Sequence, residues 1–245
     1  MERLFALVFL LTYWAAPTQA NEALLKHTTA VAQAMSALYM EALTQGNRKY
    51  EKDLKLHLQV ADKYMQDLAA SELPEAKAFN KTWLSIKDRL SVEYTEDYEW
   101  DVHTEIRREF RRYQTELYDV VNSNSEQYQK PPMIKMLALA QVETIIARFF
   151  DISTSFTGTS TLSPIDEKKV DLPVIGKQFN QYMDNMIKAP FYQQQAKKLA
   201  SAQYKWKFIE KSVVNYSNES AHFLVYATKN KIHKALSVGQ ELSAN

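Results

Sequence analysis

The densest group of side chains able to do chemistry is Arg107, Arg108, Arg111 and Arg112. On a helix Arg107 stands over Arg111 and Arg108 over Arg112, and guanidiniums one turn apart form a fork that clamps a carboxylate, a phosphate or an acidic partner. A second reading puts the four on a wet helix face, answering the acids of residues 93–109, Glu105 and Glu109 among them. The five histidines, His27, His57, His103, His222 and His233, lie far apart in sequence. His222 and His233 are eleven residues apart, about three helical turns, too far to chelate one ion. His103 falls on an apolar seam and reads as a hydrogen-bonded core histidine. A nucleophile elbow, a Walker loop and a zincin helix are all missing, and nothing calls for a cofactor or a metal. The chain therefore reads as non-catalytic.

Those residues need a frame, and the frame is helical. Leu199, Ala202, Trp206, Ile209, Val213 and Tyr216 recur at alternating steps of three and four, and Phe79, Trp83, Ile86 and Leu90 repeat the device. Only 4 glycines occur in 245 residues, which argues against hairpins, bulges and phosphate-cradling loops. The fold class is all-α, an antiparallel helical bundle or bundles, with two halves, 21–130 and 131–245, that look repeated. Helices are expected from Asn21 to about Thr44, along Leu54, Leu58, Ala61, Met65 and Leu68, from Pro74 to Leu90, along His103 to Val120, and over Met133 to Asp151. Three more follow, the first opened by Ile175, the second carrying Trp206 and the last ending near Gly239. Residues 93–101 combine five acids with three aromatics and read as a loop or the middle of a long helix. Tyr94, Tyr98 and Trp100 there form a candidate aromatic docking patch. Residues 153–173 read as a long loop.

Arg3, the apolar run Leu4 to Trp14 and the small residue closing Pro17-Thr-Gln-Ala20 have the pattern of a signal peptide, residues 1–20. Cysteine is absent, which excludes a lipid anchor, disulfides and thiolate metal sites. The expected compartment is the bacterial periplasm. With 30 basic and 29 acidic residues the formal charge is +1, so no global field recruits nucleic acid or an anionic membrane.

The first helix contains an Ala-Gln step, Ala32-Gln33, repeated as Ala140-Gln141, and continues to Leu38-Tyr39; the second half has Ile146-Ala147-Arg148-Phe149-Phe150. In these segments the chain resembles the periplasmic sensor module of type IV pilus chemotaxis transducers (PilJ-type) and nitrate-sensing histidine kinases. Gln33 fits the Gln of the family's Arg-Met-Leu-Ser-Gln-Arg-Ile-Ala-Lys-Leu-Tyr helix, and Ile146 to Phe150 fit its end. The family's arginines fall on Thr29, Ala34, Ala140 and Ile145, so the guanidiniums of a nitrate-type site are not supplied there. The resemblance implies a detached sensor-like bundle whose candidate binding residues are Gln33, Gln141 and Arg148 beside the four arginines. The expected function is a periplasmic module that binds a small polar ligand, an anion included, or an envelope or chemosensory protein. A homodimer is allowed, and no membrane span is expected after signal removal. The alternatives are a structural adaptor of an envelope machine such as a pilus, and a hydrolase with a convergent site.

Overall fold

The computed structural model describes residues 2–96, 99–157, 171–215 and 221–237, with side chains from Gln19 onward except at 155–157. Eight α-helices form among them: α1 Glu2–Leu43, α2 Arg48–Ala69, α3 Ala76–Ile86, α4 Thr104–Ser123, α5 Met133–Thr157, α6 Leu172–Lys188, α7 Ala196–Asn215 and α8 His222–Ser237. The all-α bundle expected from the glycine count and the seams is the fold observed.

Two kinds of helix divide the labour. From Leu24 to Ala42 nearly every residue of α1 is buried, and α5 is buried from Met133 to Asp151. A helix apolar on all sides must lie at the centre. α1 and α5 run side by side in the same direction, since Gln33 meets Glu143 and Tyr39, six residues on, lies near the Asp151 charge, eight residues on. The other six are amphipathic and sheathe this pair. Trp83 and Trp206, the centres of the two seams, are fully buried. Trp83 stacks on Tyr113 at 5.8 Å and donates its indole N–H to Asp62 (3.1 Å), while Trp206 meets Phe179 edge-on at 5.3 Å. In each half the tryptophan sits on the third helix, and one continuous apolar core joins both halves. Among the described residues no helix is long and apolar enough to cross a membrane.

α1 passes unbroken through Ala20, which is buried. It ends where Gly46 N–H bonds the Glu41 carbonyl and Gln45 N–H the Ala42 carbonyl, with Gln45 and Gly46 left-handed at φ 55° and 74°. The Asn47 side chain then caps α2 on Lys49 N–H (3.0 Å). So tight a turn makes α1 and α2 antiparallel neighbours.

Three expectations change. Residues 93–101 are neither loop nor helix: Glu93–Thr95 and Glu99–Asp101 form a two-stranded antiparallel ribbon, β1 and β2, pairing Tyr94 with Trp100. Cross-strand aromatics, 5.7 Å apart, hold so short a ribbon, and the Trp100 ring lies on Gly46, where a Cβ would come within 2.4 Å of it. Tyr98 lies outside the described residues. His103 is exposed at the N-terminal boundary of α4, and Val102 takes the buried place beside it. The reading of 153–173 as a loop changes at both ends, because α5 continues to Thr157 and α6 begins at Leu172, capped by Asp171 on Val174 N–H (3.0 Å). Residues 158–170, Tyr216 and Gly239 lie outside the described residues.

Candidate functional site

The arginine cluster divides between inside and outside. Residues 107 and 111 lie one turn apart on the buried face of α4, whereas 108 and 112 face solvent. Arg107 reaches Asp101 at the end of β2 (2.5 Å), and its guanidinium lies over the Tyr39 ring at 5.2 Å. Arg111 grips Asp151 with two parallel bonds, Nε to Oδ2 at 2.5 Å and Nη2 to Oδ1 at 2.6 Å, and Arg148 adds a third at 3.1 Å. Burial works to raise the Asp151 pKa, but the Arg111 hydrogen bonds and the Arg148 charge hold it below the usual carboxylate range. These guanidiniums are spent on carboxylates of the same chain. The cluster is thus divided: Arg107 and Arg111 are buried on carboxylates of the same chain, and Arg108 and Arg112 lie on the solvent face. Gln141 is buried opposite Gln178 (3.4 Å).

Gln33 leads elsewhere. It belongs to a polar centre that the four helices α1, α2, α5 and α8 build between them. Glu143 of α5 is fully buried, with Lys229 of α8, itself 1% exposed, 3.4 Å from its Oε2. Its Oε1 lies 2.9 Å from His233 Nδ1, and the Gln33 amide stands 2.8 Å from that nitrogen and 3.4 Å from the oxygen. Burial alone would push the Glu143 carboxyl up, but Lys229 and the His233 hydrogen bond outweigh it and keep the group ionised. Nδ1 thus meets both a carboxylate oxygen, which accepts, and an amide nitrogen, which donates, and Gln33, Glu143 and His233 form one hydrogen-bonded cluster.

A pocket adjoins this cluster. A cavity of about 110 Å³ opens between α1, α2, α5 and α8, and Gln33 and His233 both line it. Its walls are Leu25, Ala30, Val60, Met136 and Leu139, with Lys26, Thr29, Tyr64 and Ser237 completing it. The Thr29 and Ser237 hydroxyls donate to carbonyls four residues back on their own helices, Leu25 and His233. Ser237 is therefore not bonded to the imidazole as a nucleophile would be. The pocket lies where the two halves meet, which is why residues from both ends of the chain converge on it.

Sequence spacing could not have found Glu143, Lys229 and His233, since the carboxylate and imidazole are 90 residues apart. The one available signal was charge on a largely apolar α5, where Lys135, Glu143, Arg148 and Asp151 interrupt the run. Glu219-Ser-Ala-His222 has the Glu-x-x-His spacing that di-iron bundles use in pairs, but the chain has it once and Glu219 lies outside the described residues. Among the described residues no group of three or more His, Cys, Asp and Glu is placed to hold a metal ion. No family model, curated protein or solved structure matches the chain.

Two more histidines are held neutral, His27 fully buried and His57 half-buried. His27 donates Nδ1–H to the Ala61 carbonyl (2.8 Å) and accepts the Tyr113 hydroxyl at Nε2 (2.6 Å). Burial lowers it to about 4, and burial with the Lys229 charge lowers His57 to about 4. Unfolded histidine binds a proton near 6.5 and these only near 4, so their stabilisation is complete above pH 6.5 and is lost as pH falls through that window. Glu41 works the other way, since burial and then Glu51 push it up to about 7. In a Glu41→Gln protein the histidines act without that offset. Its urea midpoint is expected to fall from pH 7 to pH 5, with His27 contributing about 2 kcal/mol of the loss. Equal stability of that variant at both pH values would contradict the assignment.

Proposed function

We propose that this protein is a non-catalytic binding and sensing module of the bacterial periplasm that takes a small polar ligand into the pocket between α1, α2, α5 and α8. The observation that carries the reading is that Gln33 and His233, both in contact with the buried Glu143 carboxylate, line a largely apolar cleft. Burying an ion pair such as Glu143 and Lys229 costs several kcal/mol that apolar residues of the same size would not cost, so its retention beside a cavity supports a use there. The resemblance to the PilJ-type sensor module supports the same class, since the segments that carry it lie on the two central helices. The signal-peptide pattern of residues 1–20 supports export.

A ligand wedged among four helices from both halves shifts how those halves pack, and an envelope or chemosensory protein docked on the bundle would receive that change. Thermal melting against a broad library of small polar metabolites tests the reading. At least one compound is expected to raise the melting temperature, and the rise should vanish in Ala30→Trp, which fills the cleft. No shift across the library would refute it.

A further inference from the structure

The formal charge of +1 is unevenly spread along the chain. α7 and α8, which pack side by side, carry eight lysines between them against a single acid, Glu210. The Asn180 side chain of α6 donates to the Glu210 carboxylate (2.7 Å), which holds that acid at the α6 edge of α7. The outward face of α7 therefore bears lysines and no carboxylate, and it also displays two large rings. Tyr204 and Phe208 are 76% and 62% exposed, one turn apart, on the side of the helix opposite the buried Trp206 and Val213. Lys197 falls on the same line two turns before Tyr204, and Lys207 stands on one flank of the pair. On the other flank Lys205 reaches back to the Ser201 hydroxyl. Among the described residues no ion pair engages Lys197, Lys198 or Lys207, and all three are exposed. α8 adds exposed Phe223, Leu224, Lys231 and Lys234 and no acid.

We infer that this face docks on an anionic lipid bilayer, with Tyr204 and Phe208 in the headgroup layer and the exposed lysines of α7 and α8 on lipid phosphates. Charge complementarity argues for that occupant. Aromatic rings at the centre of a helix face, with lysines along and beside them, match the order of a bilayer interface, where apolar chains begin just beneath a layer of phosphates. The two rings stand on the crest of a helix, and a bilayer yields to a crest where a protein partner would have to supply a groove. So small a set of anchors binds reversibly and leaves the protein on the surface. That agrees with the finding that no helix among the described residues can cross a membrane. The inference is independent of the pocket reading, which concerns the cavity between α1, α2, α5 and α8.

Flotation of the full chain with phosphatidylcholine vesicles, with and without about one third phosphatidylglycerol, at about 50 and about 500 mM salt, tests the assignment. The apolar run Leu4 to Trp14 favours both vesicle types alike, so the readout is the ratio of anionic to neutral partition. That ratio is expected to exceed about tenfold at the lower salt and to approach one at the higher. Lys197→Gln with Lys207→Gln should lower it by about fivefold or more. Tyr204→Ser with Phe208→Ser should lower partition onto the anionic vesicles about tenfold, with the melting temperature of the parent, because both rings are exposed. A ratio near one at the lower salt, or either variant partitioning as the parent does, would overturn the assignment. Binding to polyglutamate or to single-stranded oligothymidine but not to the anionic vesicles would overturn it too, and would give the face to an acidic protein or a nucleic acid.

Discussion

Asp151→Ala is expected to cost about 3–5 kcal/mol, because it strips the shared counter-charge from two buried guanidiniums at once. Arg111 and Arg148 are 4% and 3% exposed at their side chains and Asp151 is fully buried, so no solvent stands ready to replace the carboxylate. Domains are stable by only about 5–15 kcal/mol, so the loss takes a large share of the total. The cost lies in the orphaned charges and not in the worth of the pair. Replacing all three together, with Asp151→Leu, Arg111→Met and Arg148→Met, should therefore recover most of it. Urea denaturation of the single and triple variants measures both. A single variant within about 1 kcal/mol of the parent would contradict the assignment of this cluster as the electrostatic clamp between α4 and α5.

Glu143→Ala should cost a similar amount, about 3–5 kcal/mol, for a related reason: Lys229 would be left charged at 1% exposure with only the Tyr226 ring, 4.8 Å away, in its favour. Its consequences differ. Glu143→Gln keeps the shape and loses the charge, so it should fold and melt lower than the parent. It should also lose the response to ligand, because the His233 ring loses the carboxylate that orients it. Pairing Glu143→Leu with Lys229→Met should restore stability without restoring binding. That split separates a cluster kept for function from one kept for the fold. If the double variant bound as the parent does, Glu143 would have no part in the site.

How much of this was legible beforehand follows from what each feature depends on. The seams of Trp83 and Trp206 were readable because helical periodicity is local, and both indoles are at 0% exposure. The ribbon at 93–101 was not, since three-residue strands carry no period and depend on one aromatic pair and on Gly46 beneath Trp100. The arginine cluster was visible as charge, but not its division. Which of four neighbouring arginines points inward is set by α4's rotation against α5, where Asp151 waits 40 residues later. Gln33 was singled out through the family resemblance and does stand in the polar centre. Its partners Glu143, Lys229 and His233 come from the second half and meet it only because α1 and α5 lie parallel.

His233, in contact with Glu143 through Nδ1, lines the pocket on which the functional reading stands. Nitrogen-15 spectra of the histidine rings, recorded with and without the library compound that most raises the melting temperature, interrogate it atom by atom. A displaced His233 Nε2 resonance, with His27 and the exposed His103 unmoved, is the predicted result. A compound that stabilises the protein while leaving the His233 ring untouched would place the binding site somewhere else.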